Sequence, residues 1–210
     1  MKPGDVIGLC TNNNLDAIIA LLGILYLNGI CHTWDYELFL MTARNFLSSS
    51  SPKIIFTIPV SAAILKEAAK ELQLDVKIVI LGKLDGYESM DDIIKDNDSR
   101  DIEEFECTPI DNLDEISIIV PSSGTSGMPK AVEVRHSSII NYLNPQQIAK
   151  MKNDVCYFTT TLRWMYGILL ALQAILSYST TILVSETVTN IDVEYICKII
   201  EKYQVSKSNN

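Results

Sequence analysis

Short runs of apolar, often β-branched residues alternate along the chain with longer stretches of helical periodicity. Val6–Cys10, Lys53–Thr57, Lys77–Leu81, Ile116–Val120, Ala131–Arg135, Val155–Thr159 and Thr180–Val184 predict strands. Asn14–Asn28, Glu37–Leu47, Ser61–Leu72, Ser137–Met151, Met165–Ser177 and Asn190–Tyr203 predict helices, with a short one at Ser89–Lys95. Asn14 or Thr11 is placed to cap the first helix and Ser61 the third, while Trp34-Asp35 predicts a turn. The strands are apolar throughout rather than strictly alternating, the pattern of strands covered on both faces. The chain therefore predicts an α/β fold, a mostly parallel sheet with helices on both faces. Only Val205 and a polar tail, residues 206–210, follow the last predicted helix, so no further strand is expected there. A sheet edge left open in that way would favour self-association.

Two apolar runs are long enough to raise the question of a membrane span. Ala17–Leu27 covers only about half a bilayer, and Met165–Val184 is broken by Gln173, Ser177, Ser179, Thr180 and Thr181. A buried helix followed by a strand fits the second run better, so no membrane span is expected.

Composition narrows the function classes. The chain of 210 residues is 48% apolar and 20% charged, enough to build a core. Its net charge of −9 disfavours a grip on nucleic acid or anionic lipid. Acidic residues crowd between Asp85 and Glu115, opposed there only by Lys95 and Arg100, which reads as a solvated connecting segment and the one candidate internal boundary. The five cysteines are odd in number and scattered, so reduced thiols are expected, with Cys10, Cys156 and Cys197 as small core residues beside apolar runs. The two histidines, His32 and His136, offer no metal-ligand spacing.

Candidate chemistry gathers at one place. The strand Ile116–Val120 runs into Pro121-Ser122-Ser123-Gly124-Thr125-Ser126-Gly127-Met128-Pro129-Lys130. Gly124 and Gly127 let backbone N–H groups converge on an anion. Ser122, Ser123, Thr125 and Ser126 supply hydroxyl donors. Pro129 stiffens the exit, and Lys130 brings an ammonium that can neutralise outer phosphates. A Walker A loop is excluded by spacing, since Gly127 lies three residues before Lys130 and Ala131 stands where a hydroxyl is needed.

The same ten residues, followed by Val132–Arg135 and then His136, resemble the signature loop of the adenylate-forming superfamily, which includes the acyl-CoA synthetases, the 4-coumarate–CoA ligases and the insect luciferases. Ala131 departs from the glycine usual at the loop's exit. The resemblance extends to Lys2–Leu9, to Asp16–Leu27 with Gly29, to Pro52–Thr57, and to Tyr166-Gly167 with Thr181–Val184. Many members carry an acyl-pocket histidine two or three residues before the position of Gly167. This chain has Arg163-Trp164-Met165-Tyr166 there, with Trp164 as a candidate pocket wall.

The resemblance implies part of the larger N-terminal domain of such an enzyme, at residues 1–205, with residues 85–115 as the acidic connection. It implies an ATP-dependent acid–thiol ligase that joins a carboxylic acid to ATP, with Mg²⁺, and passes the acyl group to coenzyme A. Lys130, Thr125 and Ser126 would contact phosphate, and Ser122, Ser123, Gly124 and Gly127 would shape the loop. It further implies an intracellular setting, peroxisome or cytoplasm. The family's later segments for adenine, ribose and the adenylation lysine do not occur in these 210 residues. The expectation is therefore an internal fragment, inactive as it stands. The alternative is a non-catalytic interaction or regulatory protein built on the same fold.

Overall fold

Asn14 ends the loop after the first strand, and its side chain accepts a hydrogen bond from the Ala17 N–H, starting the first helix where the capping reading places it. In the computed structural model, which describes residues 1–96, 102–122, 129–184 and 192–209, this unit is repeated with variations. The front half runs β1 (Val6–Cys10), α1 (Leu15–Tyr26), β2 (Ile30–Trp34), α2 (Leu40–Ser50), β3 (Ile54–Thr57), α3 (Pro59–Glu71), β4 (Lys77–Ile80), β5 (Glu88–Ser89) and α4 (Met90–Lys95). The chain continues through β6 (Ile116–Pro121), β7 (Ala131–Arg135), α5 (His136–Tyr142), α6 (Pro145–Ala149), β8 (Val155–Phe158), α7 (Met165–Leu176), β9 (Thr180–Ile182), α8 (Val193–Tyr203) and β10 (Lys207–Asn209).

Seven strands form one sheet in the order β5-β4-β3-β1-β2-β6-β7, and three form a second in the order β10-β8-β9. Every pairing is parallel except β6 with β7. The α/β class with helices on both faces stands as expected. Successive residues of β1 point to opposite faces. Ile7 and Leu9 join Leu21 and Ile24 of α1 and Ile168 and Leu172 of α7 in one buried cluster. Cys10, with Trp34 and Ile55, joins Phe46 and Leu47 of α2 and Leu65 of α3 in the other. Each fully buried Leu or Ile contributes about 2 kcal/mol.

Several details depart from the sequence expectations, each for a local reason. Strand β2 was not anticipated because Cys31-His32-Thr33 breaks the apolar pattern, yet all three are fully buried between β1 and β6. Both polar members find a partner inside: the Thr33 hydroxyl donates to the Arg163 carbonyl, and His32 Nδ1 lies 2.8 Å from the Ser50 hydroxyl, while His32 Nε2 stays buried with no partner among the described residues. Strand β7 is antiparallel because only a short loop joins it to β6. The expected helix over Ser137–Met151 is divided at Asn144-Pro145, where Asn144 caps α6 and Pro145, lacking an N–H, occupies its first turn. Helix α3 starts at Pro59, and Ser61 donates to the Tyr36 carbonyl instead of capping.

The acidic segment is not a boundary between sheets. Strand β6 returns after it to pair with β2, so both flanks share one sheet. The polar tail is not free either: Lys207, Ser208 and Asn209 pair with Cys156, Tyr157 and Phe158, supplying the strand that was not expected and removing the open edge at β8. Cys10, Cys31 and Cys156 are buried and free, whereas Cys197 is exposed on α8, contrary to its core assignment. Burial pushes the Cys10 and Cys31 thiols up to about 12. Among the described residues no helix is long and apolar enough to cross a membrane.

Candidate active site at the carboxyl ends of the strands

In parallel sheets, ligands collect beyond the carboxyl ends of the strands, where consecutive connections leave toward opposite faces. Here the connection from β1 enters α1 on one face and that from β2 enters α2 on the other. The loops that follow β1, β2, β6 and β8 meet at this edge.

The phosphate-type loop is closed at its neck. The Ser122 N–H donates to the Lys130 carbonyl at 2.8 Å, continuing the β6–β7 ladder in which Pro121 faces Ala131. Helix α2 steadies the exit, with Asn45 Nδ2 donating to the Pro129 carbonyl at 3.2 Å. Ser122 is half-buried against a cavity and Lys130 is exposed. Ser123, Gly124, Thr125, Ser126 and Gly127 lie outside the described residues. Lys130 leads into a strand rather than a helix N-terminus, a second departure from the Walker A geometry that spacing already excludes.

The loop after β8 docks onto the same edge. Asn13 clamps it twice: its Nδ2 donates to the Thr160 carbonyl at 3.0 Å, and its Oδ1 accepts from the Leu162 N–H at 2.9 Å. The Arg163 carbonyl is held by Thr33 at 3.0 Å, and the Arg163 guanidinium pairs with Asp35 while lying 4.7 Å from the centre of the Trp164 ring. Gly167 is required by this packing. A Cβ there would stand 2.2 Å from the Thr161 carbonyl oxygen.

Three hollows open along this arrangement. One of about 360 Å³ lies between the loop's two ends, Ser122 and Pro129, and the wall formed by Phe46, Arg163 and Trp164. A second of about 420 Å³ shares Asp35, Glu37, Arg163 and Trp164 with it and extends to Thr11 and Thr159. A third, apolar and of about 220 Å³, lies between α1, α7 and the second sheet. Trp164 lines both of the larger hollows. His136 begins α5 as expected, buried, with burial pulling its pKa down against the opposing charge of Glu115.

Sequence reasoning located the loop and Trp164 but not Asn13, Asn45, Asp35 or Arg163. The available signal was positional: Asn12-Asn13-Asn14 and Thr159-Thr160-Thr161 are polar clusters placed directly after strands that point to one edge.

Comparison with known proteins agrees with this geometry. The family described as AMP-binding enzyme matches residues 1–209. A luciferin 4-monooxygenase of Photuris pensylvanica is 26% identical over 145 residues, covering 67% of this chain and 27% of that protein. Bacitracin synthase 2 of Bacillus licheniformis is 20% identical over 208 residues, which is 98% of this chain and 7% of the synthase. Among solved structures, the luciferase-like enzyme of the nonluminescent mealworm Zophobas morio superposes with a TM-score of 0.85 at 23% identity, over 99% of this chain and 47% of that one. A long-chain-fatty-acid–CoA ligase of Archaeoglobus fulgidus does so with a TM-score of 0.83 at 15% identity, over 99% and 40%. The chain therefore spans about a quarter of the luciferin monooxygenase and less than half of either solved relative. By its match over residues 1–209, the chain belongs to the AMP-binding enzyme family.

Proposed function

We propose that this chain carries the triphosphate-binding part of an ATP-dependent acid–thiol ligase. In such a reaction a carboxylate attacks the α-phosphorus of ATP, the bond to the β-phosphate oxygen breaks, and pyrophosphate leaves. The acyl-AMP then yields its acyl group to the sulfur of coenzyme A. A carboxylate is a weak nucleophile approaching a highly charged phosphate chain, so the protein's contribution is charge shielding and alignment.

The observation that carries the reading is the closed neck of the loop. The Ser122–Lys130 hydrogen bond fixes both ends of a hydroxyl-rich segment beside a cavity at the carboxyl edge of the sheet. From there Lys130 would reach the outer phosphates, with Thr125 and Ser126 donating to them and Ser122, Ser123, Gly124 and Gly127 shaping the turn. Solved relatives described as ATP-bound MatB and as an O-succinylbenzoate–CoA synthetase in complex with AMP support a nucleotide at this fold. Mg²⁺, which the ligase reading brings with ATP, would enter on the phosphates.

The reading assigns phosphate binding to these 210 residues and not a complete turnover, because they span only 27% of the luciferin monooxygenase they match. The test is exchange of labelled pyrophosphate into ATP by the purified chain. No exchange is expected with or without added fatty or aromatic acid. Acid-dependent exchange above the no-enzyme level would overturn the division of labour.

A further inference from the structure

The two larger hollows share an ion pair in their walls. Both are lined by Asp35, Arg163 and Trp164, and the guanidinium of Arg163 pairs with Asp35 there. We propose that Arg163 receives an oxyanion of the bound ligand, and that Asp35 holds its place until the ligand arrives.

The geometry prepares the guanidinium for that task. Its backbone is pinned by Thr33, and the guanidinium carbon lies over the Trp164 ring, 4.7 Å from its centre, so little freedom is lost on binding. Asp35 engages the terminal Nη1, while Nε is buried with no hydrogen-bond partner among the described residues. A guanidinium offers five N–H donors in a planar fork that matches the two oxygens of a carboxylate or phosphate. A buried donor left unmatched is costly, and an incoming bidentate anion would satisfy it. Asp35 and Arg163 are each about one-third exposed, so the carboxylate can turn outward and the cation can be reached.

The apolar wall of the smaller hollow, with Leu38, Phe46 and Trp164, suits the body of an organic acid, while Ser122 at its rim suits a phosphate. The shared chemistry is an oxyanion, and the naming of acid and nucleotide as its two sources rests on the ligase reading.

The proposal is tested on the purified chain without ATP, by calorimetry and by tryptophan fluorescence. Trp164 lies in the cavity wall, whereas Trp34 is fully buried in the core. Sodium hexanoate and inorganic pyrophosphate are titrated separately. At least one should bind, hexanoate alone assigning the carboxylate and pyrophosphate alone the phosphate. Arg163→Gln should weaken that binding at least tenfold, and Asp35→Asn should tighten it about tenfold by removing the internal competitor. Glu37→Gln, on an exposed side chain of the same cavity, should tighten it a few-fold and keeps the test decisive should Asp35→Asn fail to fold. A merely structural ion pair would move the Arg163 and Asp35 variants in the same direction. Weakening in both, or no tightening in either acidic variant, or no binding of either probe, would overturn the proposal. Anion binding that survives while ATP fails to bind would count against the ligase reading alone.

Discussion

Gly167 shows how one residue positions the site. It lies in the first turn of α7, where the Thr160–Thr161 backbone presses against the helix. With a Cβ there placed 2.2 Å from the Thr161 carbonyl oxygen, Gly167→Ala forces the backbone itself to move. The expected cost is more than about 2 kcal/mol, measured as a shift in the urea midpoint, because no flexible side chain is available to give way. His32 acts through its proton. Burial pulls its pKa from 6.5 down to about 3, so the folded chain keeps the ring neutral while the unfolded chain protonates it near 6.5. Its contribution to stability is therefore complete above pH 6.5 and is lost as pH falls toward 3, with a limiting slope of about 1.4 kcal/mol per pH unit. Urea unfolding between pH 5.5 and pH 4 should approach this slope, and His32→Gln should remove its share. An unchanged slope in that variant would mean that another group drives acid unfolding.

At the scale of elements, the loop after β8 depends on partners far away in the chain. Asn13 and Thr160 are 147 positions apart, and Asn13 makes two hydrogen bonds to that loop. Asn13→Ala should cost about 2 kcal/mol in unfolding free energy. The short strand β10 carries a second prediction. It pairs with β8 and is led in by Ser206, whose N–H donates to the Val155 carbonyl and whose hydroxyl accepts from the Val155 N–H. A chain ending at Val205 should bind a hydrophobic dye more strongly and elute as larger species than the 210-residue chain, because an unpaired strand edge templates association. Identical elution and dye binding would show that β10 protects nothing.

For the whole molecule, two kinds of information separate cleanly. Seven of the ten strands, the phosphate-type loop and the α/β class were legible because each is written in contiguous residues: a β-branched run, a Ser/Gly string, an alternation of periods. Three things were not. Strand β2 was hidden by His32 and Thr33, whose burial is allowed only by partners that folding brings to them. The antiparallel turn to β7 and the second sheet depend on chain direction, which hydrophobic pattern does not encode. The Asp35–Arg163 pair joins two loops from opposite ends of the chain, and neither loop announces the other. Local chemistry was readable, whereas long-range pairing exists only in the folded chain.

The central claim is that the Pro121–Lys130 loop binds phosphate, and its most direct measurement is calorimetric titration of the 210-residue chain with Mg·ATP, in parallel with Lys130→Ala. Lys130 is exposed and heads an edge strand, so its removal should leave the thermal midpoint almost unchanged. A charge-assisted hydrogen bond contributes about 1.5–3 kcal/mol, so the substitution should weaken ATP binding at least tenfold. Saturable binding in the parent chain with that loss in the variant is the predicted result. Equal affinity in the two proteins, or no saturable binding in either, would contradict the account and leave the loop as a connection between two strands.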